Sequence, residues 1–156
     1  MKSTPGLKTT VHLVLLLMVA THFLYNLPTT ARADSRKSLL SLAGDSYFVD
    51  HLKGTMWTKM RSKEFSSPGD VQQHLSRLNE GEFSDWRLPT KQELYDLFGI
   101  FDMKNNGNVK IRIEGRYWLV NDKGDVVTGA WEVGNGCGPE RIFYTGKKGH
   151  IMAIRP

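Results

Sequence analysis

The run Trp86-Arg87-Leu88-Pro89-Thr90-Lys91-Gln92-Glu93-Leu94 writes out a helix start in side-chain chemistry. Thr90 and Glu93 have capping-box spacing: the threonine oxygen can accept from the backbone N–H three residues on, while the glutamate accepts from the threonine N–H. Pro89 keeps the residue before it out of the helical region, so the chain must enter this helix extended. Leu94, Leu97, Phe98 and Phe101 then recur at helical spacing as one apolar stripe, and Gly99 predicts a break in it. Trp86 is expected to close the core beneath the helix. Arg87 is expected to make an ion pair or a backbone contact.

Upstream of this start, Ser67 can cap a second helix with Pro68 in its first position. Val71, Leu75 and Leu78 supply its buried face, and Gly81 ends it. Tyr47-Phe48-Val49 and Thr55-Met56-Trp57-Thr58 read as short strands around a polar turn at His51–Gly54. Residues 34–46 read as a lead-in. Downstream, Asn105-Asn106-Gly107-Asn108 is a turn and the pattern changes to short strands: Val109–Ile113, Arg116–Val120, Val126–Thr128, Ala130–Val133, Ile142–Tyr144 and Ile151–Ile154. Asn121-Asp122-Lys123-Gly124 and Gly146-Lys147-Lys148-Gly149 supply turns among them. Two helices followed by a run of strands indicate the α+β class, with short antiparallel strands in a single domain.

The composition agrees with one globular domain. The 156 residues are 40% apolar and 24% charged, which fits neither a disordered nor a collagen-like chain. The formal charge of +5 is unevenly placed. Residues 1–33 hold Lys2, Lys8 and Arg32 and no acid, so the remainder carries eighteen basic against sixteen acidic residues, a net +2. Nucleic-acid binding therefore loses its compositional support. Those 33 residues read as a secretory signal peptide: a positive start, the apolar core Leu13–Ala20, and the small-x-small exit Ala31-Arg32-Ala33. Cleavage after Ala33 would leave a chain that begins at Asp34 in the periplasm, at the cell surface or outside the cell. A span needs about 20 apolar residues, and this run stops at Thr21 and His22. No stable membrane span is expected after cleavage; uncleaved, Met18–Leu27 would be a weak tether.

These landmarks, taken together and in order, resemble the family of Legionella collagen-like protein C-terminal domains (DUF1566). Phe48-Val49-Asp50 leading to Gly54-Thr55-Met56-Trp57 looks like the family's opening, and Trp86 to Thr90 with Glu93 and Leu94 matches its signature. Tyr117-Trp118 matches the aromatic pair that follows, and Ile154-Arg155 the closing pair. The resemblance covers residues 47–156. It departs at Leu119-Val120, where members often have small hydroxyl residues, and at Met152-Ala153, where many have a cysteine. The Arg-Leu-Pro-Thr core also looks like that of sulfatase-modifying domains. The resemblance implies a C-type-lectin-like fold and an exported, non-enzymatic recognition or envelope-associated module that binds glycan or protein. The two-cysteine chemistry of the sulfatase-modifying enzymes is not carried over, since Cys137 is the single cysteine.

The residues of the signature, Trp86 to Thr90 and Glu93, and with them Trp57, Tyr117, Trp118 and Arg155, read as structural. Catalysis beside Arg87 would need a base or nucleophile that the motif does not contain. Cys137, in Gly134-Asn135-Gly136-Cys137-Gly138-Pro139, is the alternative: a small enzyme or enzyme-accessory domain would use it as a thiolate. No spacing ties His51, His74 or His150 to it. No metal-ligand spacing is present among the histidines, and Asp122, Asp125, Glu132 and Glu140 lack the order of a calcium loop. Neither metal nor cofactor is expected. The candidate ligand surface is Trp131, Glu132, Asn135 and Arg141, an aromatic face with an acid, an amide and a guanidinium around a glycine-rich loop. The competing reading makes Trp131 a core residue.

Overall fold

The computed structural model describes residues 38–134 and 140–156. The signal-peptide reading, Asn135 and Cys137 lie outside the described residues. Within them the chain runs β1 (Leu40–Ala43), β2 (Tyr47–Asp50), β3 (Thr55–Thr58), α1 (Pro68–Leu78), α2 (Lys91–Asp102), β4 (Tyr117–Val120), β5 (Val126–Val133), β6 (Arg141–Gly146) and β7 (Ile154–Arg155). The class is α+β, with two helices and two antiparallel sheets in the orders β1-β2-β3-β7 and β4-β5-β6.

The lead-in reading is corrected at its end. Leu40–Ala43 is the outer strand of the first sheet, with Ala43 opposite Tyr47, and Leu40 is buried. One apolar residue placed to reach the core, plus a glycine turn at Gly44 with φ 67°, is enough to fold it back. The β2–β3 turn is held by Asp50, whose buried carboxylate accepts from the N–H groups of Leu52 and Lys53 at 2.8 and 3.2 Å.

Both helices start as the sequence predicts. Ser67 Oγ accepts from the Asp70 N–H, and the Thr90–Glu93 capping box is complete in both directions. The break at Gly99 does not occur: α2 runs through it, with the Met103 N–H donating to the Gly99 carbonyl at 3.0 Å. A mid-helix glycine costs about 1 kcal/mol, whereas Leu94, Leu97, Phe98 and Ile100 are all buried at about 1.5–3 kcal/mol each. Burial wins.

The strand set is also redrawn. Val126–Thr128 and Ala130–Val133 are one strand through Gly129, over which the Phe143 ring lies. Val109–Ile113 keeps its polarity alternation, with Val109 and Ile113 buried, but among the described residues no strand pairs with it. Ile151–Ala153 is buried and bonds to the Thr58–Ser62 connection, so only Ile154–Arg155 joins the ladder.

Two apolar clusters fill the interior. The larger gathers Phe48, Trp57, Leu94, Leu97, Phe98, Tyr117 and Ile154, and the smaller gathers Phe65, Val71, Leu75, Trp86, Leu88 and Trp118. The segment before α2 ties the two sheets together. Arg87 and Ile154 exchange both backbone hydrogen bonds, at 2.9 and 3.0 Å, and the Val120 N–H donates to the Pro89 carbonyl at 2.9 Å. This is why the segment must arrive extended, as Pro89 dictates. Asn79, just past α1, fixes its beginning: its amide donates to the Trp86 carbonyl at 3.0 Å and accepts from the Trp86 N–H at 2.7 Å.

Candidate functional site

The signature residues are absorbed by structure. Glu93 takes three charge-assisted hydrogen bonds, from the Thr90 N–H at 2.7 Å and from Arg87 Nη1 and Nη2 at 2.8 and 2.7 Å. Arg87 hydrogen bonds hold the Glu93 carboxyl below the ordinary glutamate range, and the same bonds raise the Arg87 guanidinium. Trp86 stacks on Tyr47 with ring centres 5.2 Å apart, and Trp118 Nε1 donates to the buried Phe65 carbonyl at 3.1 Å. Arg155 pairs with Asp85 at 2.5 Å and lies 4.2 Å over the Phe83 ring.

The candidate ligand residues divide between two faces. Consecutive residues of a strand point to opposite sides of the sheet, so Trp131 and Glu132 turn their side chains to opposite faces. Trp131 faces α2, where its Nε1 donates to the Lys91 carbonyl at 3.3 Å and its ring meets Tyr95 and Phe143 at 4.8 and 5.2 Å. Arg141 lies on that same face. It grips Asp102 through Nε and Nη2 at 2.7 and 2.6 Å, donates from Nη1 to the Trp131 carbonyl at 3.0 Å, and lies 4.9 Å over the Phe98 ring. The Asp102 hydrogen bonds raise its guanidinium above the ordinary arginine value. Trp131 and Arg141 are thus brought together, as dowels between the second sheet and α2. Glu132 is exposed on the opposite face.

The sequence-level surface nevertheless borders a real cavity. A cleft of about 660 Å³ is lined by residues 130–133 of β5 and Arg141, by the 112–116 segment ahead of β4, and by Arg61, Glu64 and His150. Its charges are partly cancelled. Glu64 pairs with Lys148 at 2.9 Å, and the Lys148 hydrogen bond lowers the Glu64 carboxyl; Arg141 pairs with Asp102. Arg61, Arg112 and Arg116 have no carboxylate partner among the described residues. Arg61 instead donates to the Glu114 carbonyl at 2.8 Å.

His150 adds a defined tautomer. Its Nδ1 is 2.8 Å from the Ser62 carbonyl, which can only accept, so Nδ1 carries the proton and Nε2 is left as the second ring function. Beneath the cleft the Tyr117 hydroxyl donates to the Arg112 carbonyl at 3.0 Å, and burial pushes its phenol up. The Arg112 backbone is thereby fixed while its side chain stays exposed.

Arg61, Arg112, Arg116 and His150 were not singled out by motif. The signal for Arg112 lay in the alternation of Val109–Ile113, whose apolar members are buried and whose polar members face out; nothing local marks Arg61 or His150. A second cavity, of about 420 Å³, runs between α2 and the first sheet and is mainly apolar, with Leu52, Tyr95, Ile100 and Met103 on its walls. Among the described residues no group of three or more His, Cys, Asp or Glu is placed to hold a metal ion. No described helix is long and apolar enough to cross a membrane. Comparisons of the chain with models of known families, with curated proteins and with solved structures find no match.

Proposed function

We propose that this chain is an exported, non-enzymatic recognition module of the DUF1566 type, with a C-type-lectin-like fold, and that it binds an anionic group of a glycan or protein in the cleft between β5 and residues 112–116. The signal-peptide pattern of residues 1–33 supports export. The observation that carries the binding reading is the convergence of Arg61, Arg112 and Arg116 on one cleft without carboxylate partners among the described residues. A guanidinium offers five donors in a planar fork, which suits carboxylate or phosphate. Glu114 and Glu132 beside them would orient a ligand that also carries donors.

The test is a panel of immobilised acidic and neutral glycans and peptides, probed with wild type and with Arg112→Glu/Arg116→Met. The methionine keeps an apolar stem over Gly146, where the Arg116 side chain packs. Binding should concentrate on acidic members and fall at least tenfold in the double variant, with an unchanged unfolding midpoint. Equal binding by the two proteins would remove the cleft from consideration.

A further inference from the structure

We propose that the ligand of this cleft is an extended peptide segment bearing carboxylate side chains, captured by adding a strand to the open edge of β5. This rests on the cleft reading above and deepens it by naming the ligand class.

The edge follows from the register. The Gly134 N–H donates to the Glu140 carbonyl at 2.8 Å, which continues the β5–β6 ladder in which Val133 lies opposite Arg141. In an antiparallel ladder, hydrogen-bonded pairs alternate with non-bonded ones. Gly134, Glu132 and Ala130 therefore turn their backbone groups toward β6, while Val133, Trp131 and Gly129 turn theirs away. The other side of β5 gives the same parity. The Asn121 N–H donates to the Asp125 carbonyl at 2.9 Å, so the bonded pairs of β4 with β5 fall on odd residues and end at Tyr117 opposite Gly129. β4 goes no further. Extended backward, it would place Gly115 opposite Trp131 and Ile113 opposite Val133, but Gly115 has φ 124° and takes the chain off that line.

The last turn of the ladder is thus open toward the cleft. The Trp131 carbonyl is taken by Arg141 Nη1. The Trp131 N–H and the N–H and carbonyl of Val133 have no backbone partner among the described residues. They recur at a two-residue spacing, roughly 6.8 Å along a strand, which is the repeat of a peptide backbone. Native sheets usually cover or charge such an edge; here it faces the cleft. Strand addition supplies affinity through main-chain bonds and specificity through alternate side chains. The side chains available to read those positions are Arg61, Arg112 and Arg116, three guanidiniums against the two carboxylates of Glu114 and Glu132. Charge complementarity therefore selects an acidic segment.

The parity makes the proposal sharp to test. Val133→Pro removes an N–H that faces the cleft and leaves the β6 ladder untouched, and proline is tolerated on strand edges. Glu132→Pro removes an N–H inside the β6 ladder and should lower the unfolding midpoint. The probes are acetyl-Val-Glu-Val-Glu-Val-Glu-amide, the same peptide N-methylated on alternate residues in each phase, and an oligogalacturonate of equal charge. Hydrogen exchange on the purified protein reads the outcome.

The unmodified peptide should bind saturably and slow exchange of the Trp131 and Val133 amides at least tenfold. One methylation phase should abolish this, and Val133→Pro should weaken binding about fivefold or more, the worth of a net main-chain hydrogen bond. Strand addition is overturned, with cleft recognition intact, if the oligogalacturonate binds through Arg112 and the peptide does not. It is likewise overturned if Val133→Pro binds the peptide as wild type does, or if the edge is filled by a second copy in a dimer that Val133→Pro dissolves. Both readings fall if no probe binds and the Arg112→Glu/Arg116→Met protein behaves as wild type throughout.

Discussion

Replacing Glu93 by glutamine tests whether charge, and not shape alone, secures the start of α2. The carboxylate accepts three hydrogen bonds, one from the Thr90 N–H and two from Arg87. A glutamine oxygen in the Oε2 place can keep the bonds from the Thr90 N–H and Arg87 Nη1, but its amide turns donors toward Arg87 Nη2 and loses that bond and the charge. The pair is half-exposed, with Arg87 at 44% and Glu93 at 25%, so solvent screening limits the ion pair to about 0.5–1 kcal/mol. The negative charge in the first helical turn adds about 0.3–1 kcal/mol. Their sum, about 1–2 kcal/mol, should lower Tm by about 4–10 °C for a domain near this size.

The pH dependence identifies the cause. Glu93 titrates lower in the folded chain, chiefly because Arg87 hydrogen-bonds its ionised form. A depressed folded pKa contributes stability in full above the unfolded value, about 4.3 for glutamate. That contribution is lost as pH falls through the lower folded value. Other carboxylates titrate equally in both proteins, so the difference between them isolates position 93. The gap in urea midpoint should be constant from about pH 7 to about pH 5.5 and close progressively as pH falls below the unfolded value of about 4.3. A gap that persists undiminished at the acid end would show that the cap geometry, and not the charge, was lost. No gap at neutral pH would refute the argument altogether.

Two further substitutions probe the packing. Trp118→Ala should cost about 3–5 kcal/mol by urea unfolding, because a buried ring is removed and its bond to the Phe65 carbonyl with it; a near-neutral midpoint would misplace the second core cluster. Gly129→Ala should cost about 1–3 kcal/mol as overpacking, since a Cβ there would overlap the tip of the Phe143 ring at Cζ, and the paired change Gly129→Ala/Phe143→Leu should recover much of it.

What could be read from the sequence is local. Both helix starts were legible because capping is a contest between side chains and orphaned backbone groups within four residues, and Ser67, Thr90 and Glu93 settle it. Gly99 misled because propensity is a local quantity while the burial of Phe98 and Ile100 is not. Leu40–Ala43 and Val109–Ile113 misled in opposite directions for a single reason. Each has a strand-like pattern or lacks one, but a strand exists only where a partner edge is open: β2 offers one to the former, and no described strand pairs with the latter.

The same non-locality governs the candidate site. Trp131 and Glu132 look like a binding pair because they are adjacent, and adjacency in a strand is what separates them. Once β5 is placed, its inward face is committed by Trp131 and Arg141 to α2. That leaves the edge, and which groups the edge exposes depends on three facts far apart in sequence. The β6 partnership sets the parity at Gly134, β4 ends opposite Gly129, and Gly115 bends the chain away before it can cover Trp131 and Val133. Filling Gly115 therefore tests the origin of the cleft itself. At φ 124° an alanine is strained, and its Cβ would lie 3.1 Å from Arg61 Nη1. Gly115→Ala should therefore displace Arg61 from the Glu114 carbonyl and let the 112–116 segment relax toward the β5 edge. Faster hydrogen exchange near Arg61 with slower exchange at Val133 is the expected signature. Unchanged exchange at both positions would mean that the edge is held open by something other than this bend.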